Sequence, residues 1–217
     1  MYMDAIGVRD SLLDLAQRIS DQGFVVLVPN LFYRDHAAPF YNYPEKFDRA
    51  ELSENLFPTV SPWMSKLQPE LLLRDAEKYL NHILGHPKVK GHKVGIVGYC
   101  FGGGHAVRTA ATYPERVQSV VSLHGGKLCT DDERSPHIYL KEVKAQLYFG
   151  HADHDQSMPL PAIQKLDAEL KFQGNNYFSE IYSGAHHGFT QKDLPSYAEE
   201  ASEKSFEKTM NLFRKLK

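Results

Sequence analysis

The chain has 217 residues, 42% of them hydrophobic, enough for one sizeable core and read most simply as a single domain over 1–217. Lys and Arg total 25 against 27 Asp and Glu, a near-balance that offers no field to draw in nucleic acid or an anionic membrane surface. There is no apolar run of ~18 residues and no basic-then-apolar leader, and the only cysteines, Cys100 and Cys129, are too few for a disulfide framework, so the expectation is a cytoplasmic protein with reduced thiols.

Taken in chain order, helical and strand signals alternate. Leu12, Leu15, Ala16 and Ile19 recur at helical spacing, and Gly23 supplies a C-terminal stop. The apolar, β-branched run 24–28 reads as a buried strand ended by Pro29. The spacing predicts a helix from Pro69 to about Gly85, a strand over 94–97, and a helix through Ala106, Ala110 and Tyr113 that stops before Pro114. Further strands are expected at 117–123, 145–149 and 177–182, with helices at about 160–172 and 197–215; in the last helix Phe206, Met210 and Phe213 share one face. This order predicts an α/β fold, a doubly wound and mainly parallel sheet with helices on both faces. Ligands of such sheets bind at the carboxyl ends of the strands. Long connections at 29–68 and 124–143 interrupt the pattern. The first carries Phe32, Tyr33, Arg34, Phe40, Tyr41, Tyr43, Phe47, Phe57 and Trp63, the make-up either of a binding loop or of a segment packed over the sheet.

The chemistry centres on Gly98-Tyr99-Cys100-Phe101-Gly102-Gly103, set between a predicted strand and a predicted helix. This is the pattern of a nucleophile elbow with sulfur in place of the usual hydroxyl: a sharp turn strains the central residue, and side chains two positions before and after it would collide. A helix N-terminus beside the sulfur favours thiolate over thiol. A tight turn around a buried structural cysteine fits the same residues, so the decision rests on partners.

A thiolate nucleophile needs a base, and the base an orienting acid. The loop expected after 147–149 offers His151, Asp153, His154 and Asp155 ahead of a helix near Pro159, and the loop after 181–182 offers His186 and His187. Cys, then Asp, then His, each following a successive strand, is the chain order of the α/β-hydrolase triad. The same histidines and carboxylates also have the chemistry of a zinc or iron site, which would make a metal-dependent hydrolase. A third reading is a non-catalytic or thiol-redox protein on the same fold.

Over nearly its whole length the chain resembles the dienelactone hydrolase family of α/β-hydrolases. Gly98 to Gly103 match the family elbow G-x-C-x-G-G, and His187-Gly188-Phe189 matches the loop that carries its histidine. The resemblance implies cleavage of a small ester or lactone, carboxymethylenebutenolidase-like, through a thioacyl-enzyme, with no cofactor and no metal. It assigns Cys100 as nucleophile, His187 as base and Asp155 as acid, because Asp155 stands ahead of the helix-starting Pro159; Asp153 is the alternative by spacing from the strand glycine.

Met3-Asp4-Ala5-Ile6-Gly7-Val8-Arg9 is similar to the segment after the family's third strand. The N–H groups of Phe101 and of Ala5 or Ile6 would then form the oxyanion hole, with Asp4 in the place of a family glutamate near the thiol. Substrate contacts are expected from Asp4, Arg34, Tyr99 and Trp63. Family members that act on dienelactone bind its carboxylate through arginines, one shortly after the catalytic histidine; here Thr190, Gln191 and Lys192 follow Phe189, leaving Arg34 or Arg9 to serve. On this match the chain starts partway through the third strand and lacks the first two. The expectation is a bare sheet edge that a second copy, as a homodimer, would cover, and an oxyanion donor on an unanchored terminus.

Overall fold

A computed structural model describes residues 1–216 of the chain. Its α-helices are α1 (Asp10–Ser20), α2 (Phe57–Lys66), α3 (Pro69–Leu84), α4 (Phe101–Thr112), α5 (Leu160–Phe172) and α6 (Glu199–Phe213). The strands β1 (Val94–Tyr99), β2 (Val117–Leu123), β3 (Gln146–His154) and β4 (Tyr177–His186) form one parallel sheet in that order. Parallel neighbours need a crossover; α4 supplies it between β1 and β2, and α5 between β3 and β4. The sheet interior is built from Val97, Val120, Val121, Leu147 and Phe149, all buried.

Both faces are covered, as a doubly wound sheet requires. Successive strand residues point to opposite sides, and two glycines of β1 show what lies on each. A Cβ on Gly95 would come within 2.7 Å of the Phe213 ring of α6, while one on Gly98 would overlap the Gly102 carbonyl of α4. On the α6 side, α1 buries Leu12, Leu15, Ala16 and Ile19, and its Arg18 reaches Glu203 at 2.6 and 2.9 Å and lies over the Phe206 ring at 3.9 Å. On the other side α3 packs along α4, where the Tyr113 hydroxyl donates to Leu73 O at 3.0 Å.

Some expectations are corrected. The run 24–28 forms no strand. Between it and β1 lies the start of the chain: the Met1 ammonium donates to Leu27 O at 2.8 Å, Tyr2 N–H donates to Val97 O at 2.8 Å, and Tyr99 N–H donates to Tyr2 O at 3.3 Å. Tyr2 makes an isolated bridge to Gly98, too short a neighbour to hold a five-residue ladder, and an apolar run without a ladder is not a strand. The same contacts put Met1 to Met3 along the β1 edge that was expected to be bare. The connection 29–68 is not all loop: Glu51–Leu56 is wound as a π-helix and runs straight into α2. Pro58 and Pro62 hide that helix in the sequence, since proline normally reads as a break. Finally, β3 and β4 do not stop at 149 and 182 but pair on to His154 and His186.

Register aligns the strand ends. Tyr99 pairs with Leu123, Leu123 with Gly150, and Gly150 with Glu180, so Cys100, His124, Asp155 and His187 all emerge beyond one edge of the sheet.

Candidate active site

Cys100 sits at φ 55°, ψ −125°, in the left-handed half of backbone space that costs a non-glycine residue about 1–3 kcal/mol. The strain is held from both sides: Cys100 N–H donates to Leu123 O, and Gly103 N–H to Cys100 O, each at 3.1 Å. The glycines around it answer to close approaches of neighbouring atoms. A Cβ on Gly98 would strike the Gly102 carbonyl, one on Gly103 would strike Ser122 Oγ, and one on Gly102 would lie 2.5 Å from Met3 O. The last of these seats the N-terminal segment directly against the elbow.

His187 and Asp155 follow the extended ends of β4 and β3. His187 Nδ1 lies 2.7 Å from Asp155 Oδ2; the other carboxylate oxygen, Oδ1, accepts Ser157 N–H at 2.8 Å and Ser157 Oγ–H at 2.6 Å. Burial would push the Asp155 carboxyl up, yet the hydrogen bond and charge of His187 and the Ser157 donors hold it below the usual carboxylate range. Burial also opposes charge on His187, but the Cys100 sulfur and the Asp155 carboxylate outweigh it and raise the imidazole well above its ordinary range. Ser157 did not figure in the sequence reading, although an Asp followed two residues later by Ser is a recognisable local hydrogen-bonded turn. Asp153 is elsewhere: it is largely exposed and accepts Gly184 N–H at 3.1 Å.

The N-terminal segment is tied down. Tyr2 OH shares a 3.0 Å hydrogen bond with Thr109 Oγ1 of α4, and Met3 is fully buried. Asp4 Oδ1 accepts the N–H groups of Ile6 at 2.9 Å and Gly7 at 3.2 Å. The Ile6 N–H is thereby occupied, whereas Ala5 N–H makes no hydrogen bond among the described residues. Phe101 N–H is the first of α4 and has no intrahelical acceptor. Asp4 is also engaged by Arg9, whose guanidinium reaches Asp4 at 2.9 and 3.1 Å and Asp193 at 2.5 and 3.2 Å. Both oxygens of the buried Asp4 side chain are therefore taken up by protein donors.

A cavity of about 910 Å³ opens over Cys100, Asp155 and His187. Its walls come from the α2–α3 junction (Met64, Leu67, Gln68), from α4 (Phe101, His105, Arg108) and from Arg49, Lys127 and Arg134. The side chains expected to meet substrate go to other partners. Arg34 pairs with Asp75 at 2.6 and 2.7 Å, Tyr99 is buried beside the His124 ring, and Trp63 packs on His36, Phe32 and Phe40 with centroids 4.2 to 5.7 Å away. Nor do the six residues considered for a metal converge: among the described residues no three His, Cys, Asp or Glu side chains form such a group. His151 is buried with its ring parallel to that of Phe149 at 6.0 Å, and the His154 ring lies tilted by 30° beside His186 at 5.0 Å.

The contrast between the two aspartates predicts different outcomes on amidation. Asp155→Asn removes the charge that orients His187 and supports its proton, and should lower kcat by about 10³-fold or more. Asp153→Asn, at an exposed carboxylate, should leave kcat within about 3-fold. Steady-state rates on p-nitrophenyl acetate check both, and a larger loss from Asp153→Asn would reverse the assignment.

The chain is 26% identical over 218 residues to a Synechocystis sp. protein, covering 99% of this chain and 84% of that one. It is 27% identical over 183 residues to the rat carboxymethylenebutenolidase homolog, covering 82% of this chain and 64% of that one. The crystal structure of a Klebsiella pneumoniae protein superposes with a TM-score of 0.82 at 21% identity, over 98% of this chain and 84% of its own, and shows the fold to be α/β-hydrolase-like. The dienelactone hydrolase family model matches residues 1–217, and the chain belongs to that family.

Proposed function

We propose that this family member hydrolyses a small ester or lactone through a thioacyl-enzyme on Cys100. The observation that carries the reading is a strained Cys100 lining the same cavity as a His187 whose Nδ1 lies 2.7 Å from Asp155. His187 holds the thiol proton. The Cys100 sulfur attacks the carbonyl carbon, and the carbonyl π pair moves onto oxygen as an oxyanion. Phe101 N–H and Ala5 N–H are the donors for that charge, both backbone groups without another acceptor among the described residues. The oxyanion collapses, the C–O bond to the alcohol breaks, and His187 gives the departing alkoxide its proton. Water, deprotonated by His187, then attacks the thioester; the C–S bond breaks, the sulfur leaves as thiolate beside protonated His187, and the carboxylic acid departs, losing its proton to solvent. Water is the only co-reactant, so the cycle calls for no cofactor.

Acid quenching during turnover of p-nitrophenyl acetate tests this. The expected result is a burst of p-nitrophenolate equal to the enzyme present and one acetyl group on the Cys100 peptide by mass spectrometry. Steady hydrolysis with that peptide never acylated would overturn the thioacyl route.

A further inference from the structure

His124 directly follows β2 and stands next to Cys100 in the row of strand ends, yet no step of the hydrolysis uses it. It is 1% exposed and holds φ at 40°, a left-handed conformation that a non-glycine residue keeps only where its surroundings over-determine it. Its N–H donates to Gly150 O at 2.7 Å, which locks the residue to β3. The ring stands edge-to-face with His187 (centroids 5.2 Å, interplanar angle 68°) and with Phe189 (5.4 Å, 75°). Nε2 shares a 2.8 Å hydrogen bond with Thr190 Oγ1. One buried side chain therefore touches the base, the phenylalanine two residues on and the threonine after that. Packing alone would be met by an apolar ring; a buried imidazole carries a desolvation cost, and Nδ1 recovers none of it from the described residues.

We propose that His124 is a positioning residue that sets the tilt and height of the His187 imidazole, its ring braced against His187 and its Nε2 clamped to Thr190 on the same loop. The inference rests on the reading of Cys100 and His187 as nucleophile and base. The charged and titratable groups facing His124 are His187 and Asp155, beyond the ends of β4 and β3, Arg9 of the N-terminal segment, and Tyr99 of β1, whose ring centroid lies 5.9 Å away. Burial first, and then the positive charge of His187, hold the His124 imidazole well below its ordinary range. It therefore stays uncharged while His187 carries the proton, and an uncharged ring in edge-to-face contact supports an imidazolium that a second cation would repel.

The test separates the clamp from the ring. His124→Phe keeps an aromatic ring and removes the Nε2 bond; Thr190→Val removes the same bond from the other side. Two readouts are needed: kcat and KM on p-nitrophenyl acetate, and the pH profile of Cys100 alkylation by iodoacetamide, which senses the Cys100–His187 pair without ester turnover. Each variant is expected to lower kcat about 10-fold, as small misplacements of a reacting group do, with KM within about 2-fold and a shifted alkylation profile. The double variant is expected to be no worse than the more affected single one, because both remove one bond. Wild-type kcat with an unmoved alkylation profile, a loss confined to KM, or additive losses would each overturn the proposal. If His124→Phe fails to fold by circular dichroism, Thr190→Val alone decides. Hydrolysis that does not depend on Cys100 overturns the reading of the site itself; Cys100-dependent hydrolysis with unaffected variants overturns only the role of His124.

Discussion

Cys100→Ala is expected to lower kcat/KM on p-nitrophenyl acetate by at least about 10³-fold, leaving only what the oxyanion donors and the cavity contribute without a nucleophile. The fold should survive. Alanine meets the same backbone strain at φ 55° as cysteine does, and Cys100 N–H keeps its bond to Leu123 O, so the melting temperature should stay within a few degrees. Cys100→Ser sharpens the test. The Cys100 sulfur is foremost among the groups that raise the His187 imidazole, so serine removes that support, and a hydroxyl, far less acidic than a thiol, must then give its proton to a weaker base. The serine variant is therefore expected to remain at least about 10²-fold impaired near pH 7 despite its similar shape. Alanine activity near wild type would refute Cys100 as nucleophile.

Arg9→Leu is expected to destabilise the protein by about 3–5 kcal/mol, the range for removing one partner of a buried ionic network. Arg9 is buried between two buried carboxylates, Asp4 and Asp193, and also donates to Gly7 O at 3.1 Å. Removing it leaves two carboxylates without their cation in a region that excludes water. Arg9→Lys should recover only part of the loss, because one ammonium lacks the planar fork that serves both acids at once. Activity should fall with stability, since the same network holds Asp4, which in turn fixes the Ile6 and Gly7 N–H groups next to Ala5. Urea midpoints compared at constant slope check the first claim, and a loss below about 1 kcal/mol would show that the network contributes little.

These two positions differ in how visible they are in the sequence. Cys100 stands out because the constraints on it are local: Gly98, Gly102 and Gly103 lie within a few residues and each excludes a Cβ. The loops that carry Asp155 and His187 are found by their order after successive strands, because parallel register brings strand ends to one edge whatever the residues between them, while the choice over Asp153 and His186 came from the family resemblance. The network of Arg9 with Asp193 has no such signal, since its members are 184 positions apart. The same holds for Arg34, whose guanidinium turns to Asp75, 41 residues away, and for His124, whose partner Thr190 is 66 residues on.

From its own pattern the chain determines an alternating α/β order, the glycine-flanked elbow at Cys100 and two later loops that each offer a pair of candidates, Asp153 or Asp155 and His186 or His187, because helical periodicity, strand alternation and glycine sterics act over a handful of residues. Whether 24–28 had a ladder to join, where β3 and β4 end, whether Ala5 or Ile6 keeps its N–H unspent, and which side chains line the cavity were decided only by the folded structure. Each depends on a partner brought close by chain closure, and neither periodicity nor a local motif encodes the far end of such a contact.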